Sequence, residues 1–408
     1  MKKEHMVVIA GFFLAILLRL LLIKLFPQPF LFDQADYHTF AQQMLQRGLY
    51  AESARLYGYP LFVATIYRVF SLNNLQAVFV FQAILDSATA LLIYIWAKLL
   101  WNKKSVSWVA FVLYIFNPYT SAYVGVVLSE VTGIFFTALF LYLCTLSWLK
   151  KKMTAFLLFS FVAGFLPQIR PAFLYFSVGL FLLGLSIYWK KRWTLIGTLL
   201  FILPFLYVLW GNVVYFGQWK LTPVDHIFPR ELFISIMVPN RLSDDVRQGH
   251  TAFPKEVTQL YKEYSVKPKN QKERIAMADT YFAQAIEMMK ENPWLFIRER
   301  FSKMFFVWEK HFLFYYQESP NALRDGIVYW GNIILLMGGL SGLLVWFVKK
   351  RSLLAILYLS FIAYISVIHS VSLAEERYSL PGYPLLFLFA GYALVQLYKR
   401  SFITPNKE

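Results

Sequence analysis

Runs of about twenty apolar residues recur along this chain, and they constrain its fold more than any other feature. A run of this length matches the hydrocarbon core of a lipid bilayer, which is about 30 Å thick. Hydrophobic residues make up 58% of the sequence and charged residues 15%, against about 45–50% and about 25% in soluble domains. The composition excludes an ordinary soluble protein and an intrinsically disordered one. It predicts an all-α polytopic membrane protein.

About ten transmembrane helices are predicted from these runs. They lie near residues 6–26, 76–100, 106–122, 127–149, 153–169, 171–189, 194–211, 327–348, 352–370 and 379–398. Two connections are too long for simple turns, and they divide the chain into three parts. Residues 1–211 form an N-terminal transmembrane catalytic module that includes the first long outer loop, 27–75. Residues 212–326 form a large outer loop with amphipathic helices, and residues 327–408 form the C-terminal transmembrane helices.

Positive charge is concentrated in the short connections between the apolar runs. The net charge is +17, and cytoplasmic loops of membrane proteins are enriched in Lys and Arg. The pattern predicts cytoplasmic N and C termini, places both long loops on the outer side of the membrane, and leaves no reason to expect a nucleic-acid partner. The clusters lie at Lys2–Lys3, Lys103–Lys104, Lys150–Lys152, Lys190–Arg192, Lys349–Arg351, Lys399–Arg400 and Lys407.

Cysteine content and sorting signals add two expectations. The single cysteine, Cys144, lies in an apolar run, so neither an intrachain disulfide nor a cysteine metal site is expected. The first apolar run is longer than the core of a secretory signal, and no A-x-A-like cleavage site follows it, so we interpret it as an uncleaved anchor. The sequence also has no N-x-[ST] acceptor, which favours a bacterial plasma membrane over a glycosylating compartment.

Acidic and aromatic residues cluster at the start of the first long loop. In FPQPFLFDQADYHTFAQQMLQRGLY, the residues Asp33, Asp36 and Tyr37 fall at helical spacing and would share one face near the membrane. Asp is also common in the first turn of any helix, where it caps the helix and complements its dipole. Spacing alone therefore favours a solvated helix start over a functional site.

The same segment resembles the first outer loop of the GT-C superfamily of membrane glycosyltransferases. The pattern D-x-x-x-Y-x-x-x-A followed by Gly is met by Asp33, Tyr37, Ala41 and Gly48. RLYGYPLFVATIYRVF is similar to a stretch of the protein-mannosyltransferase-like and aminoarabinose-transferase-like members. AEERYSLPGYPLLFLFAGYAL, which contains Arg377, has their R-Y-x-x-P-x-x-P pattern and is the most specific match. LSEVTGIFF, PQIRPAFL and NVVYFGQWKLTP resemble further segments in the same order.

The resemblance implies an inverting transfer of a sugar from a polyprenyl-phosphate carrier to an acceptor on the outer face of the membrane. The acceptor hydroxyl needs a general base, and Asp33 is the candidate. The departing lipid phosphate needs neutralisation by cationic side chains. Arg377 is the first candidate for this role, and the further candidates are Arg170, Arg55 and Lys220. Members often have Arg before the Asn that precedes the large loop, where this chain has Gly, so a phosphate contact expected there is supplied elsewhere.

Further site residues follow from the same resemblance, each with a structural alternative. Glu130 is a catalytic candidate, and its expected role is to orient the acceptor, to position the base or to help hold a divalent metal. The structural alternative is a carboxylate that stabilises the start of a helix. Arg377 has the alternatives of pairing with a neighbouring glutamate and of snorkelling. The tyrosines stack on the sugar or belong to the interfacial aromatic belt. The remaining substrate-binding candidates are Asp36, Tyr37, Tyr59 and Tyr378.

The predicted function also implies a set of partners and leaves one alternative function. The expected partners are the polyprenyl-phosphate sugar, membrane lipids, and an envelope glycan, lipid or protein as acceptor. No cofactor is certain, and a divalent metal stays an open question. A transporter or lipid flippase is the alternative, because such proteins also carry charges within their spans. The intramembrane charges Asp86, Arg19 and Lys24 pair with one another or line a cavity; pairing is favoured for Asp86, and snorkelling is the alternative for Arg19 and Lys24.

Overall fold

The computed structural model describes residues 2–47, 55–189, 192–221, 227–237, 268, 270–314, 316, 321–372 and 374–403. Every regular element within these ranges is a helix, and the predicted all-α membrane class is confirmed. Parts of both long loops lie outside the described residues, as do Gly48, Lys190, Lys191 and Lys407 of the patterns above.

Sixteen α-helices and two 3-10 helices make up the described structure. The 3-10 helices are Pro171–Phe173 and Glu376–Gly382, and we call the second one the Arg377 turn. The α-helices are α1 (Lys2–Leu25), α2 (Asp33–Arg47), α3 (Gly58–Phe70), α4 (Leu75–Trp101), α5 (Lys104–Ile115), α6 (Pro118–Ser121), α7 (Glu130–Lys150), α8 (Met153–Ile169), α9 (Leu174–Tyr188), α10 (Trp193–Phe216), α11 (Ile227–Met237), α12 (Gln271–Glu291), α13 (Pro293–Phe306), α14 (Ala322–Lys350), α15 (Leu353–Ser370) and α16 (Tyr383–Ile403).

Eight helical stretches in the described ranges are long and apolar enough to cross a membrane. They are Glu4–Leu25, Leu75–Trp101, Glu130–Lys150, Pro171–Tyr188, Trp193–Val214, Ala322–Lys350, Leu353–Ser370 and Glu376–Lys399. The other two predicted spans correspond to shorter helices, α8 with 17 residues and α5 with 12. The span predicted at 106–122 is interrupted, because Asn117 caps a new helix that begins at Pro118. The count of ten crossings therefore stays a prediction.

The short basic connections gather at one end of the helix bundle. Glu4, near the start of α1, lies 3.1 Å from Lys98 at the end of α4 and 2.9 Å from Lys104 at the start of α5. At the other end, α2, the start of α7 and the end of α8 come together, because Tyr37 contacts Ser129 and Glu130 contacts Arg170. The basic ends of α1, α4 and α5 thus lie away from α2 of the first long loop.

A buried ion pair joins α1 to α4. Arg19 Nε lies 2.8 Å from Asp86 Oδ2, and both side chains are fully buried. The hydroxyl of Tyr114 donates to Asp86 Oδ1 at 2.8 Å, and Arg19 Nη1 donates to the Ile115 carbonyl at 2.6 Å. The predicted pairing of Asp86 is confirmed. For Arg19, the alternative of pairing is confirmed and that of snorkelling is wrong, because its guanidinium binds the Asp86 carboxylate and the carbonyls of Tyr114 and Ile115 at the end of α5.

Helix α13 begins at Pro293 and is one of the amphipathic helices expected in the large loop. Its inner face is tied to the end of α15, where Arg300 Nη1 donates to the Val371 carbonyl at 2.8 Å. Its outer face exposes apolar side chains at positions 294, 297, 301 and 305. An exposed apolar stripe opposite an anchored polar face is typical of a helix that lies in the membrane interface.

Candidate functional site

Asp33 is held between two arginines at the end of the bundle opposite the basic connections. As the first residue of α2, it directs Oδ1 to Arg55 Nη2 at 2.5 Å and Oδ2 to Arg377 Nη2 at 3.1 Å. The Asp33 side chain keeps 28% of its surface exposed, whereas that of Arg377 keeps 8%. One carboxylate therefore faces two guanidiniums and still has an open side.

The two arginines control the ionisation of Asp33. Burial by itself raises the pKa of this carboxyl group, but the charges and hydrogen bonds of Arg55 and Arg377 outweigh it and lower the pKa from 3.8 to about 2. Asp33 is therefore ionised at neutral pH. While both contacts persist, it is also a weak proton acceptor.

Arg377 connects Asp33 to the rest of the site. Its Nε lies 2.6 Å from Glu375 Oε2 and 3.7 Å from Glu130 Oε1. The Tyr378 hydroxyl donates to Glu375 Oε1 at 3.0 Å. The pairing with Glu375 that was the structural alternative is thus present, and the same guanidinium reaches Asp33 with its other end.

Glu130 and Arg170 form the buried back of the site. Glu130 is the first residue of α7, its side chain is 3% exposed, and its Oε1 lies 2.9 Å from Arg170 Nη2. Gly133 lies one turn along α7, where a Cβ would come within 3.1 Å of Arg170 Nε, so the glycine leaves room for the guanidinium. Glu130 Oε2 has no hydrogen-bond partner among the described residues. A buried carboxylate oxygen without a partner is costly and is typical of functional sites.

Tyr37 packs against Arg55 on one side of the site. The Arg55 guanidinium lies 4.8 Å from the centre of the Tyr37 ring, in cation–π geometry. The Tyr37 hydroxyl donates to Ser129 Oγ at 3.3 Å. Tyr59 packs edge-on behind it at 4.8 Å, is 1% exposed and donates to Gln82 Oε1 at 2.9 Å. Tyr59 therefore supports Tyr37 from behind, and its predicted contact with substrate stays a prediction.

Asp36 and Lys220 lie furthest from the centre of this arrangement. Asp36 is 51% exposed and lies 3.4 Å from Arg55 Nη2, so it occupies the rim. Lys220 is exposed, and its carbonyl accepts from Asn212 Nδ2 at 2.7 Å. Ion pairs, hydrogen bonds and ring contacts link the other predicted site residues to one another, and the phosphate-binding role of Lys220 stays a prediction.

A buried clamp that sequence reasoning missed fixes the Arg377 turn. His311 contacts Glu376 Oε1 through Nδ1 and donates its backbone N–H to Oε2 at 2.9 Å. Lys310 Nζ donates to the Glu376 carbonyl and to Ser379 Oγ, and burial lowers the pKa of Lys310 to about 7. The end of the large loop thus holds the turn that carries Arg377. The position of Glu376 next to Arg377 was the one sequence signal of this clamp.

The acidic groups of the site are matched by arginines. In the part of the chain that the structure describes, no group of three or more His, Cys, Asp or Glu side chains could hold a metal ion. The geometry therefore adds no support for a metal role of Glu130.

An apolar groove lies beside the site. Its volume is about 710 Å³, and it is bounded by α2, α3, α8 and α10. Tyr57, two residues after Arg55, belongs to its wall, and the exposed side chains of Leu61, Leu203 and Trp210 show that the groove is open to the side of the bundle. The groove is therefore open to the surface that would face lipid, and its connection to the charged site is the short backbone segment from Arg55 to Tyr57.

Comparisons with known proteins identify the fold. No protein-family model matches the sequence, and no curated protein matches it. Among solved structures, the oligosaccharyltransferase of Archaeoglobus fulgidus in the apo form is 13% identical, with a TM-score of 0.55 over 97% of this chain and 51% of that chain. The same enzyme tethered with an acceptor peptide is 12% identical, with a TM-score of 0.53 over 97% and 50%.

A third similar structure contains a lipid phosphate. It is the A. fulgidus oligosaccharyltransferase AglB in complex with an inhibitory peptide and a dolichol-phosphate, 12% identical, with a TM-score of 0.50 over 99% of this chain and 53% of that chain. The present chain spans about half the length of these enzymes. The likeness shows that the chain has the GT-C fold, as the sequence resemblance predicted.

Proposed function

We propose that this chain is an integral-membrane glycosyltransferase that moves a hexose or pentose from a polyprenyl-phosphate carrier to a hydroxyl group. The observation that carries the proposal is the Asp33 carboxylate, ionised, partly open and flanked by Arg55 and Arg377. The fold shared with lipid-dependent oligosaccharyltransferases supports it. The acceptor is an envelope glycan, a lipid or a protein.

The reaction is a single displacement that inverts the anomeric carbon. The acceptor oxygen forms a bond to that carbon while the bond to the phosphate oxygen breaks, and the electron pair leaves with the prenyl phosphate. Asp33 takes the proton of the acceptor hydroxyl as general base. Arg377 and Arg55 neutralise the departing phosphate. Glu130, paired with Arg170, holds Arg377 from behind.

Two features support an outer-face site in contact with lipid. The basic residues at the ends of α1, α4 and α5 lie at the opposite end of the bundle, and such clusters mark the cytoplasmic side, which supports cytoplasmic N and C termini. The apolar stripe of α13 would lie in the outer interface, and α13 is tied to the end of α15 by Arg300, shortly before the Arg377 turn. The prenyl chain would occupy the groove lined by Tyr57 and Leu61. The absence of a glycosylation acceptor favours a bacterial plasma membrane.

Transfer in detergent tests this proposal directly. Purified protein should release prenyl phosphate from a polyprenyl-phosphate sugar and glycosylate an envelope extract, with both products identified by mass spectrometry. Asp279→Asn, a change at an exposed position of α12, should leave the rate unchanged. Movement of the lipid across vesicle bilayers without sugar transfer would instead establish the flippase alternative, because transport requires two compartments and transfer does not.

The clamp on the Arg377 turn leads to a second expected result. Replacing Glu376 by Gln removes the charge that faces His311 and should loosen the turn, so that Arg377 no longer meets the phosphate in one orientation. We expect the KM for the donor to rise about tenfold with a smaller change in kcat, the signature of lost binding in both the ground state and the transition state. Glu291→Gln at the exposed end of α12 is the matched control. Unchanged KM in a folded Glu376→Gln protein would remove the positioning role.

A further inference from the structure

We infer that the Asp33 carboxylate, where it lies between Arg55 and Arg377, occupies the place of the donor phosphate, and that the arriving phosphate releases Asp33 by taking over both arginines. This inference rests on the proposed function and concerns how the same site is switched on. It makes Asp33 a competitor of the substrate before it acts as the base.

The geometry shows why one anion can replace the other. Each Asp33 oxygen meets one arginine, at 2.5 Å from Arg55 and 3.1 Å from Arg377, so the two guanidiniums converge on a single oxyanion. Carboxylate and phosphate oxygens are equivalent acceptors for arginine N–H groups. A phosphate at this point would repel a carboxylate that stayed between the same two cations.

The arginines are the fixed members of this arrangement. Arg377 is anchored through Nε to Glu375 at 2.6 Å and is 8% exposed, so its Nη2 keeps facing the same point. Arg55 lies over the Tyr37 ring at 4.8 Å. Asp33 is the most exposed member of the trio at 28%, and as the first residue of α2 it needs only a side-chain rotation to leave. The Asp33 carboxylate would therefore be replaced by the phosphate while Arg55 and Arg377 keep their positions.

Exchange would also explain how a strongly paired carboxylate serves as a base. With Arg55 and Arg377 bound to it, the pKa of Asp33 is about 2, well below the ordinary value of 3.8. Once the phosphate takes both guanidiniums, the pKa rises and the carboxylate becomes a better proton acceptor. The acceptor hydroxyl is then activated only when the donor is present.

Binding of farnesyl phosphate, a short prenyl phosphate, distinguishes this exchange from ordinary binding. Removing the competing charge in Asp33→Asn should tighten binding about tenfold, as expected for one partly exposed charge contact, although the same variant transfers sugar far more slowly. Asp279→Asn should bind like the wild type. Farnesol, which lacks the phosphate, should bind both variants and the wild type equally. Such a result would show that the tighter binding of farnesyl phosphate depends on its phosphate group.

A double variant tests whether the effect runs through the arginines. Arg55→Ala should weaken binding, and the gain from Asp33→Asn should shrink in the Arg55→Ala background, since the two residues are coupled. Unchanged or weaker binding by Asp33→Asn, in a protein whose wild type binds farnesyl phosphate, would overturn the inference and leave the proposed function standing. Absence of binding by the wild type would overturn both.

Discussion

Sugar transfer by the Asp33→Asn protein should be about a thousandfold slower than by the wild type, within the range of a lost general base. The amide keeps the size of the carboxylate but accepts no proton from the acceptor hydroxyl. Arg377 retains Glu375 and Glu130 as partners, so the site should stay assembled. The measurement is single-turnover transfer with saturating donor, together with a thermal unfolding midpoint that shows an intact fold.

The neighbouring acidic residue of α2 separates this role from a general effect of negative charge. Asp36 lies on the same helix, is 51% exposed and makes one long contact of 3.4 Å with Arg55. Asp36→Asn should therefore slow transfer less than tenfold, in line with the small energies of exposed ion pairs. Equal losses in the Asp33 and Asp36 variants, or full transfer by Asp33→Asn, would remove Asp33 as the base.

Local patterns predicted which residues lie in the candidate site better than they predicted the contacts between them. Helical spacing placed Asp33, Asp36 and Tyr37 on one face, and the family resemblance added Arg377. The contact between Asp33 and Arg377 joins positions 344 residues apart, and no period or spacing in the sequence encodes it. The lateral approach of the two segments depends on how the transmembrane helices pack.

Buried polar groups were the hardest feature to predict. His311 has an ordinary polar setting in the sequence, yet it binds Glu376 across 65 residues. Lys220 is a predicted phosphate ligand within NVVYFGQWKLTP, and its side chain is exposed. The interruption of the span predicted at 106–122 had a local signal in Asn117 and Pro118, a pair that favours a turn. The apolar composition of this segment, taken alone, predicted one continuous span.

Removing the Asp86 carboxylate should lower the free energy of unfolding by about 3–5 kcal/mol, the cost of leaving a buried charge without its partner. In Asp86→Ala, Arg19 would remain fully buried beside the carbonyls of Tyr114 and Ile115, and the Tyr114 hydroxyl would lose its acceptor. The measurement is the unfolding midpoint in one detergent at fixed protein concentration. Glu4→Gln, which weakens a pair with the exposed side chains of Lys98 and Lys104, should shift the midpoint much less.

A compensating double variant shows whether the loss comes from the unpaired charge or from the lost volume. Replacing both partners, Asp86→Leu with Arg19→Met, removes the buried charge altogether, and apolar pairs of this kind often restore the stability that single changes remove. Recovery should be incomplete, because Met cannot replace the hydrogen bond that Arg19 donates to the Ile115 carbonyl within the bundle. A double variant no more stable than Asp86→Ala would show that packing around Asp86, and not the charge of Arg19, sets the cost.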